Sequence, residues 1–310
     1  MKVVIAGGSG FLGNPLAWAW AEEGHDIRVL TRSLAPGQAQ HESGTGKPGI
    51  TRVGWAPDGT AGPLAQELDG ASLVVNLAGE SVADGRWTAA RKQALRDSRL
   101  NATRSIVTAL AGTPRPPATF ISGSAVGYYG DTDGRTVTEA APAGQDFLAH
   151  LCEDWEGEAK RAESAGVRVV VVRTGIVLES SGGALPRMML PYRFFAGGPL
   201  GSGRQYVSWV HRLDWMEIVR WIVQTSEARG PINATAPQPV TSRELSRALG
   251  HALHRPSLLP VPGFALRLAV GEMAGSLLTG QRAIPQQALS LGYHFRYPDI
   301  DQAMRGIFGV

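Results

Sequence analysis

Cysteine is nearly absent from this sequence: its 310 residues contain one, Cys152. A single thiol excludes a disulfide within the chain and a metal site built from several cysteines, and it is typical of a protein in a reducing compartment. The first residues, MKVVIAGGSG, have only a short apolar run before glycines interrupt it, unlike a signal or transit peptide. We therefore predict a cytoplasmic protein without a metal site.

Long apolar runs and concentrated charge are absent as well. No stretch approaches the ~20 consecutive apolar residues of a membrane-spanning helix. The net charge is only +3, and there is neither a block of Lys and Arg nor an aromatic RNA-binding motif. With 43% hydrophobic and 18% charged residues, the composition is that of a folded soluble protein. We expect a small-molecule substrate, and neither nucleic acid nor a membrane as a partner.

The sequence does contain a regular alternation of strand and helix patterns over its first 180 residues. Short runs rich in β-branched residues predict buried strands, and longer mixed patterns predict helices. The predicted strands cover residues 2–6, 26–30, 71–79, 118–125 and 167–178, with one more near 50–55 in an otherwise loop-like interval between 33 and 62. The predicted helices run from the first glycines to residue 23, over 89–111 after an N-cap at Thr88, and over 147–165. This order predicts an α/β fold with a Rossmann-like, doubly wound parallel sheet.

The pattern changes after about residue 180. The stretch GGALPRMMLPYRFFAGGPLGSGRQ is interrupted by glycine and proline, which is typical of a cap or lid, and helical patterns return at 215–227, 242–253 and 263–279. We predict that residues 1–180 together with 207–236 form a nucleotide-binding domain. Residues 181–206 together with 237–310 would form a smaller C-terminal cap and substrate region.

Three glycines directly follow the first predicted strand, in the segment IAGGSGFLG. Gly7, Gly10 and Gly13 have G-x-x-G-x-x-G spacing, and Phe11 and Leu12 lie between the last two. Bare backbone permits a sharp turn at the first position, approach of a pyrophosphate at the second and close helix packing at the third. Phosphates would lie at the positive end of the helix. A purely structural turn is the alternative, but the strand–turn–helix context favours a dinucleotide.

The residues after the second strand bear on which dinucleotide binds. An acidic side chain there would accept hydrogen bonds from both ribose hydroxyls of NAD, whereas this chain has Thr31 and Arg32. A guanidinium offers several donors to a 2′-phosphate and no acceptor to a 2′-hydroxyl. We therefore expect NADP(H) rather than NAD(H); a solvated loop arginine is the alternative.

Several motifs resemble a known superfamily. They are the glycine turn, Asn76-Leu77-Ala78-Gly79, Ser122-Gly-Ser124-Ala125 with Tyr128-Tyr129-Gly130, and Arg173-Thr174-Gly175. Together they resemble the extended short-chain dehydrogenase/reductases, in their NAD-dependent epimerase/dehydratase branch. Further blocks from GRW (85–87) to GQR (280–282) are similar to the SDR39U1-like or YfcH-like subgroup, which includes a C-terminal segment of the DUF1731 type.

The resemblance implies roles for further residues. Leu77, Ala78 and Gly79 would lie along the adenosine side of the cofactor, with tight packing as the alternative for each. Arg99 stands where relatives carry an asparagine facing the cofactor, so it either contacts the cofactor or is a solvated helix charge. The residues that would border the nicotinamide are Thr174, Gly175 and Ile176.

The resemblance also implies catalytic residues, and here the chain departs from the pattern. Ser124 matches the catalytic Ser/Thr, which hydrogen-bonds a substrate oxygen. The usual Tyr-x-x-x-Lys pair is missing, because Cys152 stands at the tyrosine position and Glu156 at the lysine position. A thiol beside a carboxylate should be a poor acid. The candidates for the missing proton donor are Tyr128, Tyr129 and His211.

A second departure concerns the substrate. Nucleotide-sugar relatives contact the diphosphate with an arginine whose position here is Val207, and Arg204 is a possible substitute. The sequence therefore predicts an NADP(H)-dependent, epimerase/dehydratase-like oxidoreductase acting on an unidentified small carbonyl or hydroxyl compound. The alternative is a non-catalytic NADP(H)-binding redox sensor or partner-binding protein. Relatives often dimerise through the helices that correspond to 89–111 and 147–165, so a homodimer is possible.

Overall fold

A large, mainly parallel β-sheet lies at the centre of the computed structural model, which describes residues 1–42 and 49–309. Residues 43–48, part of the interval predicted as loop, lie outside the described residues, as does Val310. The strands are β1 (Lys2–Ala6), β2 (Asp26–Thr31), β3 (Ala39–Glu42), β4 (Ile50–Gly54), β5 (Leu73–Asn76), β6 (Thr119–Ala125), β7 (Thr136–Val137), β8 (Arg168–Thr174), β9 (Ile176–Leu178), β10 (Tyr206–Val207), β11 (Trp209–His211), β12 (Gly230–Ala234), β13 (Val240–Thr241) and β14 (Arg282–Ala283).

The central sheet has the order β12-β8-β6-β5-β1-β2-β4-β3, and only the edge strand β3 is antiparallel to its neighbour. The chain moves outward from β1 through β2 to β4, then returns to the other side of β1 at β5. This reversal is the point at which doubly wound sheets bind ligands, beyond the carboxyl ends of the strands. The predicted Rossmann-like α/β fold is confirmed.

Helices cover both faces of this sheet. The α-helices of the described residues are α1 (Gly13–Glu22), α2 (Leu64–Leu68), α3 (Ala89–Ala111), α4 (Phe147–Lys160), α5 (Leu185–Arg193), α6 (Arg212–Gln224), α7 (Ser242–Ala252), α8 (Gly263–Val270), α9 (Ala274–Leu278), α10 (Gln286–Ser290) and α11 (Ile300–Phe308). The predicted helix 89–111 has these bounds in the structure, and the Thr88 side chain caps it by accepting from the Arg91 N–H. The helix predicted at 215–227 begins three residues earlier, at Arg212.

The core consists of two apolar layers, one on each face of the sheet. Successive residues of β1 point to opposite faces, so Val3 and Ile5 join one layer while Val4 and Ala6 join the other. Helices α1 and α6 cover the first layer, and α2, α3 and α4 cover the second. All four of these β1 side chains are completely buried, which explains the continuous apolar run that marks the strand in the sequence.

Two elements that were predicted to be continuous are each interrupted at a glycine. The strand predicted at 167–178 breaks at Gly175: β8 stays in the central sheet, whereas β9 pairs with β11. At the break, a Cβ atom on residue 175 would lie 2.6 Å from the Ser208 carbonyl oxygen, so the segment around 208 needs bare backbone there. The helix predicted at 263–279 is interrupted at Gly271, whose φ of +67° ends α8.

Within the part of the chain that the structure covers, no helix is both long enough and apolar enough to cross a membrane. The segments after residue 180 build a third apolar cluster, in which α5, α7 and α11 pack around Trp209 and Tyr192. Segment 272–283 then returns to the first half of the chain, where β14 pairs with β7 in a separate two-stranded sheet.

Candidate functional site

The glycine turn lies at the carboxyl end of β1, against the end of β5. Gly7 has a φ of +79°, and a Cβ atom on it would lie 2.6 Å from the Leu77 carbonyl carbon. The Gly10 N–H donates to the Gly7 carbonyl oxygen over 3.0 Å, and a side chain at Gly13 would overlap that same oxygen. No side chain of the described residues caps α1. The Asn14 N–H already donates to the Gly10 carbonyl oxygen and Pro15 has no N–H, so in the first turn of α1 the Gly13 N–H is the group that remains for an anion.

A cavity of about 570 Å³ opens beside this turn, and we call it the glycine-turn cavity. Its lining includes seven of the residues predicted to contact the cofactor: Gly7, Gly10, Thr31, Arg32, Leu77, Ala78 and Gly79. Residues that the sequence analysis did not single out also line it: Ser9, Ser33, Glu80, Asp97, Ser98 and Asn101. Asp97 and Ser98 directly precede Arg99 on α3, and their orientation toward the cavity depends on how α3 packs.

Arg32 lies at the rim of the glycine-turn cavity, directly after β2. Its side chain is exposed and forms no ion pair with the residues that the structure describes. Beside it, Thr31 Oγ1 and Ser33 Oγ are 2.8 Å apart, and the Ser33 N–H donates to Thr31 Oγ1. These bonds fix the turn after β2 and leave the guanidinium free for a ligand.

Arg99 contacts the Gly79–Glu80 segment of the wall of the glycine-turn cavity. Its guanidinium donates to the carbonyl oxygens of Glu80, over 2.9 Å, and Leu95, over 3.0 Å, and it lies 5.3 Å from the Trp155 ring. A Cβ atom on Gly79 would lie only 3.0 Å from the Arg99 side chain. Burial lowers the pKa of Arg99. The residue is therefore not a solvated helix charge, and its contacts hold the Gly79–Glu80 loop in place.

The other predicted cofactor residues lie outside the lining of this cavity. The Phe11 ring packs on the main chain of Gly182 and Gly183, and Leu12 is the N-cap residue of α1. Thr174 Oγ1 accepts from the Trp215 indole over 3.1 Å. The main-chain N–H groups of Gly175 and Ile176 bond to Ala234 and Ser208. A role of these residues beside the nicotinamide stays a prediction.

A buried ion pair occupies the carboxyl ends of β6 and β8. The Arg173 guanidinium donates to both carboxylate oxygens of Glu156, each over 2.8 Å, and Ser124 Oγ donates to Glu156 Oε1 over 2.6 Å. The two charged side chains are only 4% and 14% exposed. Burial opposes the charge of Arg173, but the hydrogen bonds and charge of Glu156 raise its pKa. Glu156, at the expected lysine position, thus accepts from Ser124 and anchors an arginine.

The two tyrosines that follow Ser124 differ in their surroundings. The buried Tyr129 hydroxyl donates to Asn233 Oδ1 over 2.7 Å and accepts from Arg173 over 3.0 Å. Burial raises the pKa of Tyr129 to about 12, despite the nearby arginine. Tyr128 is half-buried, and the Arg173 guanidinium carbon lies 3.4 Å from the centre of its ring.

A second cavity, of about 910 Å³, lies next to this cluster, and we call it the cap cavity. One wall is formed by Tyr129 and residues between 131 and 148, and the other by residues between 272 and 279. Lys92 on α3 forms an ion pair with Glu272 of the second wall, and its ammonium lies 5.3 Å from the centre of the Phe147 ring in the first wall. Trp87 and Phe147 contribute aromatic surface, with their rings edge-to-face at 5.4 Å.

Comparison with known families identifies the chain. The model of the "NAD dependent epimerase/dehydratase family" matches residues 3–234. The chain belongs to this family. A second model, "Domain of unknown function (DUF1731)", matches residues 261–307, which include the 272–279 wall of the cap cavity.

Individual relatives of this epimerase/dehydratase family member cover its full length. "Epimerase family protein YfhF" of Bacillus subtilis is 39% identical over 98% of this chain and 97% of its own. The crystal structure of human epimerase family protein SDR39U1 (isoform 2), with NADPH, has a TM-score of 0.87 at 31% identity, covering 100% of this chain and 99% of that one. UDP-glucuronic acid 4-epimerase of Bacillus cereus, at 13% identity and a TM-score of 0.76 over 100% and 98% of the two chains, shares the fold. The resemblance to the SDR39U1-like subgroup is confirmed.

The departure of this epimerase/dehydratase family member from Tyr-x-x-x-Lys is visible in α4. Cys152 is a buried free thiol, and burial together with the charge of Glu156 raises its pKa to about 11. The expectation that this thiol is a poor acid is confirmed. Of the described residues, no group of three or more His, Cys, Asp or Glu side chains is placed to hold a metal.

His211 does not have the properties expected of a proton-transfer group. Burial lowers its pKa to about 4, well below neutrality. Its Nδ1 accepts from the Leu213 N–H as the N-cap of α6, and its ring stacks on Tyr297 at 4.0 Å. Arg204 is exposed. His211 and Arg204 are absent from the lining of the two cavities, as are Ser124 and Tyr128, and a role of each at the substrate stays a prediction.

The helices considered for a dimer, α3 and α4, pack side by side on one face of the sheet. Their exposed surface carries ion pairs between the two helices, Arg96 with Asp154 and Arg104 with Glu158. Charged pairs of this kind are more typical of a solvated surface than of the centre of an interface. A homodimer through these helices stays a prediction.

Proposed function

We propose that this chain binds NADP(H) in the glycine-turn cavity and catalyses hydride transfer to or from a small carbonyl or hydroxyl compound held beneath the cap. The observation that carries the proposal is the arrangement around α1. Its uncapped N-terminus and the bare backbone of Gly7 and Gly10 border a cavity whose rim carries the unpaired Arg32. The NADPH-bound human relative supports the same cofactor.

The residues present fit this cofactor. The turn N–H groups and the start of α1 would hold the pyrophosphate, and Leu77, Ala78 and Gly79 would lie along the adenosine. Arg32 would bind the 2′-phosphate of NADP(H), since no acidic side chain follows β2 to bind the ribose hydroxyls of NAD(H). When bound, the nicotinamide supplies or accepts the hydride. In this proposal, residues 1–180 with 207–236 hold the cofactor, and 181–206 with 237–310 form the cap.

Ser124 and a tyrosine that follows it would handle the proton at the substrate oxygen. Because the Ser124 hydroxyl donates to Glu156, its lone pairs are the groups that remain for a substrate hydroxyl. A second candidate function is favoured by the same bond and by the missing Tyr/Lys pair: a non-catalytic NADP(H)-binding sensor. NADPH oxidation with a panel of aldehydes and ketones distinguishes the two, since a sensor would leave NADPH unoxidised throughout.

Arg32→Asp tests the cofactor assignment. Losing a charge-assisted contact of ~1.5–3 kcal/mol should weaken NADPH binding by roughly 10- to 100-fold in a fluorescence titration, while NADH affinity changes little. Arg28→Ala is the matched control, because Arg28 lies on β2, the strand that Arg32 follows, pairs with Asp26 and is absent from the cavity lining. Unchanged relative affinities for NADPH and NADH would show that Arg32 does not select the cofactor.

A further inference from the structure

Arg173 is held rigidly at the carboxyl end of β8. Its Nε and one terminal nitrogen donate to Glu156, and the other terminal nitrogen donates to the Tyr129 hydroxyl and to the Glu139 carbonyl oxygen. These bonds lie around the edge of the planar guanidinium and leave its faces free. One face is covered by the ring of Tyr128, at 3.4 Å.

The hydroxyls of the two tyrosines differ in whether they have hydrogen-bond partners. That of Tyr129 is occupied on both sides, by Asn233 and by Arg173. That of Tyr128 makes no hydrogen bond to any residue that the structure describes, and its side chain is half-buried in the turn Val126–Tyr129. Tyr128 therefore has a free hydroxyl and a fixed cation against its ring, three residues beyond the end of the strand that carries Ser124.

We propose that Tyr128 is the catalytic acid of the hydride-transfer reaction and that Arg173, anchored by Glu156, is its positioning residue. This inference rests on the proposed function. The charge of a phenolate is spread over its ring, so a cation on the ring face stabilises the phenolate more than the phenol. Arg173 would thus supply the positive charge that relatives supply with lysine, and Glu156 would hold that charge in place.

The step assigned to Tyr128 is one proton transfer. As the hydride supplied by NADPH reaches the carbonyl carbon, the carbonyl π-electron pair moves to the oxygen. The Tyr128 O–H bond breaks, and a new O–H bond forms on that oxygen, giving the alcohol. The phenolate left beside Arg173 recovers its proton from water, and in the reverse direction it accepts the alcohol proton.

Nitration of tyrosine tests the Tyr128–Arg173 pair without any substrate, because tetranitromethane attacks accessible phenolate. In the purified protein, peptide mass spectrometry should find Tyr128 nitrated at least about tenfold faster than the buried Tyr129. In the double variant Glu156→Gln/Arg173→Gln, which leaves no unpaired charge, Tyr128 nitration should slow by roughly fivefold or more. Tyr206 is the internal control, since its ring lies against a different cation, Arg282. Faster nitration of Tyr129, or an unchanged Tyr128 rate in the double variant, would overturn the pairing.

Turnover tests the acid itself. With phenanthrenequinone as the probe carbonyl, Tyr128→Phe should lower the rate of NADPH oxidation by about 100-fold or more, with unchanged NADPH affinity. Tyr206→Phe, at a ring that lines neither cavity, should keep most of the wild-type activity. The reverse order of the two variants would overturn the assignment. If the wild type oxidises no NADPH with any carbonyl of the panel, the proposed function and the acid role fail together, while nitration still decides the pairing.

Discussion

Removing the carboxylate of Glu156 should destabilise the protein far more than removing a typical helix carboxylate. In Glu156→Ala, the Arg173 guanidinium loses two hydrogen bonds of 2.8 Å at a position where its side chain is 4% exposed, and Ser124 loses its acceptor. An arginine cannot lose its proton in response. The folded state must then contain an uncompensated buried cation.

Breaking a buried pair in this way costs about 3–5 kcal/mol in free energy of unfolding. For chains of 150–250 residues, each kcal/mol of destabilisation lowers Tm by about 2–4 °C. A chain of 310 residues lies near the smaller of these shifts. We therefore expect the Tm of Glu156→Ala to fall by roughly 6–10 °C. The Tm of Glu156→Gln should lie between those of the wild type and Glu156→Ala, because the amide oxygen still accepts a hydrogen bond from Arg173. The double variant Glu156→Gln/Arg173→Gln removes both charges and should be more stable than Glu156→Ala.

The assay is thermal unfolding followed by circular dichroism, with urea midpoints as a second measure. Glu153→Ala is the control on the same helix: its carboxylate is 62% exposed and lies 3.9 Å from a histidine nitrogen, so its loss should change stability by less than about 0.5 kcal/mol. If Glu156→Ala were as stable as this control, another group or water would have to compensate the buried charge of Arg173. The argument from the buried pair would then be refuted.

Three further predictions concern other parts of the structure. Gly13→Ala should abolish NADPH binding and cost roughly 1–3 kcal/mol, because its methyl group would overlap the Gly7 carbonyl oxygen; retained affinity in a titration would contradict this. Gly157→Ala, at a helix position with nothing within 4 Å, should raise stability by ~0.5–1 kcal/mol, and a lower Tm would count against it. His211 has a folded pKa of about 4 and an ordinary value of 6.5, so the unfolded chain binds more protons between these values. The neutral His211 side chain contributes up to ~3 kcal/mol to the free energy of unfolding above about pH 6.5, and this contribution is lost as pH falls toward 4. The variant His211→Asn keeps an acceptor for the helix N-terminus. Between about pH 7 and pH 5, its urea midpoint should therefore fall less than that of the wild type.

Much of the fold follows from local patterns in the sequence. The β-branched runs of β1, β5 and β8 are buried on both faces, and a polar cap residue followed by a long mixed pattern placed α3 between its actual ends. The break at Gly175 could not be predicted from local sequence, because VRTGIVL has the composition of a single strand. The break depends on the main chain of Ser208, which is distant in sequence and fills the space that a side chain would need.

The candidate site could likewise be predicted only where local spacing defines it. Gly7, Gly10 and Arg32 are recognised by their spacing to neighbouring strands, and they line one cavity; their contacts with a cofactor stay a prediction. Arg173 was missed as a functional residue, since an arginine inside an apolar strand carries no spacing signal of its own. Its role depends on Glu156, 17 positions earlier on a different element, and on the Tyr128 ring. The sequence alone marked Glu156 as a missing lysine, whereas the contacts show it as an anchor.

The pairing of Glu156 with Arg173 also limits which sequences are accessible from this one. A lysine introduced at position 156 would face Arg173 across about the length of a hydrogen bond, placing two positive charges together in a buried space. Restoring the superfamily's Tyr/Lys pair therefore requires changing residues 152, 156 and 173 together, and each single replacement among the two charged positions is disfavoured by itself. The ion pair therefore disfavours stepwise change at positions 156 and 173 and favours their joint replacement.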